Sequence, residues 1–461
     1  MGHRITSMKS SFSLPPYVYL RREKTFNLLE DKKNKERYIL NDTASHILTL
    51  YRKGFSQKDV IEILSSFYGV DKNTIINDVK NFTARMLKKK LLRPGQRRTH
   101  LTKEDGLRLL INEDRKIKNS NVDWFLKSPL YVSFYPTFKC NQNCIFCFVP
   151  LTYRNSMDAN VMSFDKAKEV ADQLIKSDVH EIQILGGEPF MVPWIFRFIS
   201  YCEKKELFVL IITNGSFLEP RHIKLIPTSP RVFIEVSVHG LKDTHDYLTR
   251  TNGAFDKLER NVRKMVEKNL NLSLTTVVLN KNINEIEDMV LYFTEIGVKS
   301  FGFLYPYAIG GARKLREYPT VQRYWNLLER LKKRFGNKVN LYGIGGFNFL
   351  RYSKAPPSRS DIVRWLGALF CKAGTTKLDI LPNGDIVPCF PMNMKIGNIF
   401  QKSLSEIWSS PLLNIFRYMT IPEECQGCKF AHTCRGGCPI YRIERGGLFT
   451  ADDRCPRIGG V

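Results

Sequence analysis

Ten of the eleven cysteines in this chain fall into two ordered sets, and that arrangement restricts the fold more than any other feature. The front set is Cys140, Cys144 and Cys147, spaced C-x3-C-x2-C. The back set runs Cys371, Cys389, Cys425, Cys428, Cys434, Cys438 and Cys455, with Gly384 five residues before Cys389. Thiolates at such short spacings can wrap a metal ion or an iron–sulfur cluster. Three closely spaced thiolates leave one iron of a four-iron cluster without a protein ligand, so the front set reads as reactive. The back set reads as a separate module. A disulfide framework belongs to short secreted chains; this one has 461 residues and no apolar start of the signal-peptide kind. Structural zinc stays open for the back set taken alone, since C-x2-C pairs also make zinc knuckles. The C-x3-C-x2-C in the same chain moves the balance toward iron–sulfur.

Around and after the front set, short apolar runs rich in β-branched residues alternate with helical patterns. Each run ends in Gly, Asn or Ser: EIQILGGEPF, IITNGSF, IEVSVHGL. Alternation of this kind implies parallel βαβ units. Ligands of such folds sit at the carboxyl ends of the strands. Glycines there let the backbone approach a ligand closely. Each motif alone fits an ordinary βα turn; their order behind the cysteine triplet points to one shared ligand.

These residues resemble the radical S-adenosylmethionine (SAM) enzymes over roughly 129–315. LYVSFYPTFKCNQNCIFCF is similar to their cluster-binding strand and loop, EIQILGGEPF to their GGEP segment, and IITNGSF and IEVSVHGLKDTHDYLTRTNGAF to the next two strand ends. VVLNKNINEIEDM and FGFLYPYAIGGAR look like strands five and six. The resemblance implies a partial (β/α)6 TIM barrel within an α/β fold. It implies a [4Fe-4S] cluster on Cys140, Cys144 and Cys147, with S-adenosyl-L-methionine on the open iron. Phe146 would lie near the adenine. Gly186, Gly187, Glu188, Thr213, Asn214, Ser237 and Arg250 would help hold SAM. One electron would cleave SAM to a 5′-deoxyadenosyl radical, which removes a hydrogen atom from an unactivated carbon. The cofactor, more than any side chain, supplies that chemistry, and the sequence names no catalytic acid or base.

The back set resembles a SPASM domain, the cysteine-rich auxiliary-cluster extension of such enzymes. CKAGTTKLDILPNGDIVPCF also reads as a β-hairpin turning at Pro382, Asn383 and Gly384. The resemblance implies two auxiliary [4Fe-4S] clusters: Cys371, Cys389 and Cys438 for the first, Cys425, Cys428, Cys434 and Cys455 for the second. No fourth cysteine for the first is evident. Cys202 reads as a buried core residue.

Residues 17–95 form a different unit. Two strand-like runs lead into helices starting near Asn41 or Thr43, Ser56 and Asp71, with apolar residues at helical spacing such as Val60, Ile61, Ile63, Leu64 and Phe67. The pattern resembles the PqqD-like recognition element of enzymes that modify ribosomally made peptides, a winged-helix-like α+β domain that takes a leader peptide as an added strand. A plain winged helix is the alternative. The expected layout is 1–95 recognition domain, 96–128 linker, 129–340 radical SAM core, 341–365 bridging region and 366–461 SPASM domain.

The chain carries 71 Lys and Arg against 45 Asp and Glu. Residues 1–127 hold 27 of the bases and 14 of the acids, half of the +26 excess in little over a quarter of the length. That bias favours acidic partners such as leader peptides, and equally nucleic acid, although most basic runs are solvated helix ends. No stretch of about 20 apolar residues exists, so no membrane span is expected.

The resemblances together imply a cytoplasmic oxidoreductase, a peptide maturase of the thioether-synthase group. Its partners would be a precursor peptide and an electron donor such as flavodoxin or ferredoxin, with no membrane and no nucleic acid. Thioether formation leads, carbon–carbon crosslinking follows. One alternative is a sulfatase-maturating enzyme, but that group has an acidic residue after the second SPASM cysteine, where this chain has Phe390. Another is an enzyme of a small cofactor or heme precursor. A basic DNA-binding redox sensor is the non-enzymatic alternative.

Overall fold

The computed structural model describes residues 10–118, 126–149, 161–347 and 369–458, apart from 35, 97, 99, 308, 310, 311, 313, 317, 393, 446 and 448. Most of the bridging stretch 341–365 therefore lies outside the described residues. The chain divides into two compact units, Met1–Lys127 and Ser128–Val461.

The first unit opens with β1 (Phe12–Ser13). It builds an antiparallel sheet from β2 (Val18–Arg22), β3 (Asn27–Asp31) and β4 (Glu36–Leu40), in that spatial order. Three capped helices follow. In α1 (Asp42–Lys53) the Asn41 side chain accepts from the Ala44 N–H, and Gly54 closes the helix in the left-handed region. In α2 (Gln57–Tyr68) Ser56 and Asp59 form a capping box, and Asp71 caps α3 (Lys72–Lys88). β5 (Arg93–Pro94) pairs back onto β1. The stretch expected to be a linker then forms α4 (Lys103–Lys118). Its Asp114 binds Arg22 at 2.6 Å and His46 at 3.1 Å, and its Leu110 joins the same apolar core as Leu29, Ile47, Val60 and Leu64. The polar outer face of α4 hid that anchor from a compositional reading. β4 is the third strand where two had been expected: four of its five residues face outward or are half-buried, so no apolar run announces it.

The second unit is built on one ten-stranded sheet. Seven parallel strands stand side by side in chain order: β6 (Tyr131–Phe134), β7 (Glu181–Ile184), β8 (Phe208–Thr213), β9 (Val232–Ser237), β10 (Asn271–Val277), β11 (Ser300–Leu304) and β12 (Asn340–Ile344). Helices α5 (Phe164–Lys176), α6 (Ile195–Lys204), α7 (Lys242–Thr249), α8 (Ala254–Glu267), α9 (Ile286–Ile296) and α10 (Val321–Phe335) lie between them in sequence, which is the βα repeat of a partial barrel. Their apolar stripes are buried, as Phe198 and Ile199 of α6, Leu258 and Val262 of α8 and Leu327 and Leu331 of α10 show. Two features go beyond six βα units. β12 extends the sheet by one parallel strand on β11. At the other edge, β13 (Lys377–Ile380) of the cysteine-rich segment pairs in parallel with β6, and its hairpin partner β14 (Asp385–Val387) carries β15 (Gly397–Asn398). The hairpin turns where expected: Gly384 has φ +83°, a region that favours glycine. The auxiliary segment thus continues the barrel sheet.

Candidate active site

The front cysteines lie in the loop leaving β6, each half-buried. The loop is pinned to the end of α7: Asn143 N–H donates to the Thr249 carbonyl at 3.1 Å and Ile145 N–H to the Leu248 carbonyl at 3.0 Å. Asn141 and Gln142 both donate to the Ser216 hydroxyl, at 3.0 and 3.1 Å. Asn214 Nδ2 donates to Asn141 Oδ1 at 2.8 Å and sits 3.8 Å from Cys140 Sγ. These contacts gather the β6, β8 and β9 ends around three thiols.

The GGEP segment meets the loop backbone to backbone. Gly187 N–H donates to the Thr137 carbonyl at 3.0 Å, and Glu188 N–H to the Lys139 carbonyl at 2.8 Å. A Cβ at Gly186 would stand 2.3 Å from the Thr137 oxygen, and one at Gly187 1.9 Å from the Lys139 oxygen. Both glycines are therefore demanded first by the approach of the cluster loop. The Glu188 carboxylate is wholly buried. It accepts from the Thr213 hydroxyl at 2.7 Å, the Asn214 N–H at 2.8 Å and the Phe190 N–H at 3.1 Å. Burial pushes its carboxyl up to about 7 against the pull of those donors. The resemblance gives Glu188 and Thr213 a part in holding SAM; in this structure their side chains brace two strand ends against each other.

Ser237 ends β9 half-buried, and Arg250 is exposed in a left-handed conformation closing α7. Phe146 stands edge-on to His239, 4.4 Å between centroids. His239 is buried, and burial holds it well below the ordinary imidazole value. Its Nδ1 accepts the Val277 N–H at 3.2 Å, which places the proton of the neutral ring on Nε2. Nothing in the sequence reading singled out His239, Asn141, Gln142 or Ser216; only their place at strand ends could have.

The back cysteines group as two sets. The Cys389 thiol feels the charges of Cys371 and Cys438; the Cys434 thiol feels Cys455 and Cys425, and Cys455 feels Cys428. Burial pushes the Cys434 and Cys438 thiols up to about 12, so thiolates here require a bound metal to hold them deprotonated. Among the described residues no three Cys, His, Asp or Glu side chains crowd one point as ligands of a single ion do. A four-iron cluster does not ask for that, because its thiolates hold different irons. Cys202 is fully buried on α6, with Phe198 and Ile199 of the same helix in the core. Phe390, after Cys389, is buried against Phe138 at 4.8 Å, Tyr135 at 5.4 Å and Phe148 at 6.0 Å. An apolar plug fills the place of an acid. The residues present thus fit the groups: three thiols in a loop backed by glycine and amide groups, and two further thiol sets.

The fold and this site define a radical SAM enzyme. The radical SAM superfamily matches residues 134–293, the SPASM iron–sulfur cluster-binding domain 371–429, and coenzyme PQQ synthesis protein D (PqqD) 28–92. The chain is thus a radical SAM enzyme with an auxiliary-cluster domain behind the barrel and a PqqD-like domain before it, and its cofactors are SAM with a [4Fe-4S] cluster and auxiliary clusters. It is 26% identical over 328 residues to the antilisterial bacteriocin subtilosin biosynthesis protein AlbA of Bacillus subtilis, covering 68% of each chain. It is 24% identical to the AdoMet-dependent heme synthase of Methanosarcina barkeri, over 67% of this chain and 91% of that one. The fold is that of Streptococcus suis SuiB, solved bound to precursor peptide SuiA, with TM-score 0.77, 22% identity, and coverage of 96% of this chain and 100% of that one.

Proposed function

We propose that the chain modifies a ribosomally made precursor peptide. The observation that carries this is the first unit. A PqqD-like sheet ends in β4, whose Glu36, Arg37 and Ile39 are exposed, Ile39 at 49%. β2, at the opposite edge, is buried along its whole length. An exposed edge strand offers unpaired N–H and C=O groups to an extended peptide. Lys89 lies over the Tyr38 ring, 5.1 Å from its centroid, and puts positive charge beside that edge, which suits an acidic leader. Cys140, Cys144 and Cys147 would hold the cluster that binds SAM, and the chemistry supplied there would be a hydrogen-abstracting radical. The barrel residues position the target carbon and keep water out.

The bond formed is a thioether from a cysteine, with carbon–carbon crosslinking as the second possibility. The relatives include a heme synthase, but a small porphyrin has no use for a strand-binding unit. Phe390, buried among three aromatic rings, speaks against a sulfatase-type acid–base step. A reducing cytoplasm and a flavodoxin- or ferredoxin-like donor suit the reductive cluster chemistry that these cysteines would support. No helix among the described residues is long and apolar enough to cross a membrane. The test is removal of residues 1–127. A short peptide encoded beside the gene should no longer be modified, while slow SAM cleavage without peptide persists. Equal peptide turnover by the truncated chain would refute the proposal.

A further inference from the structure

The hairpin that joins the auxiliary segment to the barrel carries a buried ion pair. Lys377 Nζ lies 2.8 Å from Asp379 Oδ1, with the carboxylate fully buried and the lysine side chain 18% exposed. The contact is one of charge rather than an aligned hydrogen bond. Asp379 is also a hub. Its Oδ2 accepts the Phe390 N–H at 2.7 Å and the Tyr135 hydroxyl at 3.4 Å. Asp379 alone thus binds the backbone just after Cys389 and a barrel side chain near the cluster loop, with Lys377 beside it on the same face of β13.

The register says where the lysine stands. Asp379 faces Val387 and Ile380 faces Ile386 across the antiparallel hairpin. β14 ends at Val387, two residues before Cys389, and the Asp379 bond to the Phe390 N–H brings the backbone beside Cys389 to the side of β13 from which Lys377 and Asp379 both project. Burial pushes the Cys389 thiol up, and the Lys377 charge opposes that rise while Asp379 adds to it. Lys377 is half-buried, its side chain 18% exposed, in the hairpin that leads to Cys389. A buried cation needs more counter-charge than one carboxylate that is itself spent on two other donors. A cluster on Cys371, Cys389 and Cys438 would supply it: three thiolates on such a core leave a net negative group, more negative once reduced.

We propose that Lys377 and Asp379 are a redox-tuning pair for the first auxiliary cluster. Lys377 favours its reduced form across the hairpin, and Asp379 restrains that effect while fixing the Phe390 backbone. The pair makes this cluster a readier electron acceptor than its thiol set alone would be. Both residues act through the cluster, as positioning and tuning groups. The inference rests on the assignment of Cys389 to a cluster and not on which peptide is modified.

The test is a redox titration, followed by electron paramagnetic resonance, of the full chain reconstituted anaerobically without substrate. The wild type is compared with Lys377→Gln, Asp379→Asn, Lys377→Arg and Cys389→Ala. One signal should vanish in Cys389→Ala. That same signal should move to more negative potential in Lys377→Gln and to more positive potential in Asp379→Asn. It should stay near the wild-type value in Lys377→Arg, and the other signals should not move. Shifts of the same sign in Lys377→Gln and Asp379→Asn, or no shift in either, overturn the tuning role. So does equal loss of about four irons from both without a displaced signal, which marks a purely structural pair. Full iron retention in Cys389→Ala overturns the ligand assignment itself, and the tuning role with it.

Discussion

Replacing Gly187 by alanine should disable the barrel site while leaving the rest of the molecule folded. The new Cβ would lie 1.9 Å from the Lys139 oxygen, 2.4 Å from the Lys139 carbonyl carbon and 2.5 Å from the Phe138 oxygen. All three are backbone atoms, so no side chain can swing away. Restoring tolerable contact means driving the cluster loop and the GGEP segment apart by about 1 Å, given that packed cores yield little. The Glu188 N–H bond to the Lys139 carbonyl, now 2.8 Å, would not survive that opening. Overpacking at about 1–3 kcal/mol and a lost hydrogen bond at about 1 kcal/mol sum to about 2–4 kcal/mol. A domain stable by about 5–15 kcal/mol tolerates that. Catalytic geometry does not: a misplacement of about 1 Å costs on the order of 100-fold in rate. The reconstituted variant should therefore lose about four irons, or keep them with SAM cleavage down about 100-fold, by iron determination and chromatographic assay of 5′-deoxyadenosine. Gly253→Ala is the control. Gly253 has φ +72° but open space around its Cβ position, so it should cost about 1 kcal/mol in strain and leave cleavage nearly intact. Wild-type iron and cleavage in Gly187→Ala would refute the steric account.

Two further outcomes follow from burial. At Glu30 burial raises the carboxyl, but Lys32, Arg37 and Arg21 outweigh it and bring the group down to about 2 from 4.5. A depressed folded value stabilises at pH above about 4.5 and is lost as pH falls toward 2, a contribution of about 3 kcal/mol. In urea melts of residues 1–127, Glu30→Gln should thus be less stable than the wild type at pH 6, with the gap closing toward pH 3; a gap independent of pH would count against it. Cys202→Ala should keep the full iron content and SAM cleavage, at a packing cost of about 1–2 kcal/mol; loss of about four irons would show it to be a ligand.

What the sequence made legible was local, and what it hid was long-range. The cysteine spacings, the strand-ending glycines and the Asn41, Ser56 and Asp71 caps lie within a few residues of what they determine. The pairing of β13 with β6 does not: Lys377 and Tyr131 are neighbours across the sheet yet far apart in the chain, and the KLDI run looks the same whether it pairs with a barrel or stands alone. Lys377 and Asp379 read as ordinary strand polarity for that reason. α4 was lost to composition, since Leu107, Leu109, Leu110 and one aspartate anchor a helix whose remaining residues are mostly charged or polar. The connectivity that would have placed β12 on β11 runs through a strand whose residues alternate between exposed and half-buried.

The motif residues show why a signature can be recognised without its reason being understood. GGEP, TNG and the cluster loop were read as parts of one ligand cradle. Their hydrogen bonds run first to one another: Gly187 to Thr137, Glu188 to Lys139, Thr213 and Asn214 to Glu188, Asn214 to Asn141. A loop of three thiols is held by these five backbone, carboxylate and amide contacts before any cofactor arrives. Such preorganisation is what a reactive iron requires, because a loop free to relax would surrender the alignment that makes hydrogen abstraction selective. On this view Glu188 also serves the site by holding the β7 and β8 ends together through its buried carboxylate. Glutamine in its place would set an N–H2 against one of three N–H or O–H donors, leaving a buried donor unpaired at about 1–3 kcal/mol, and the strain would fall on the cluster loop.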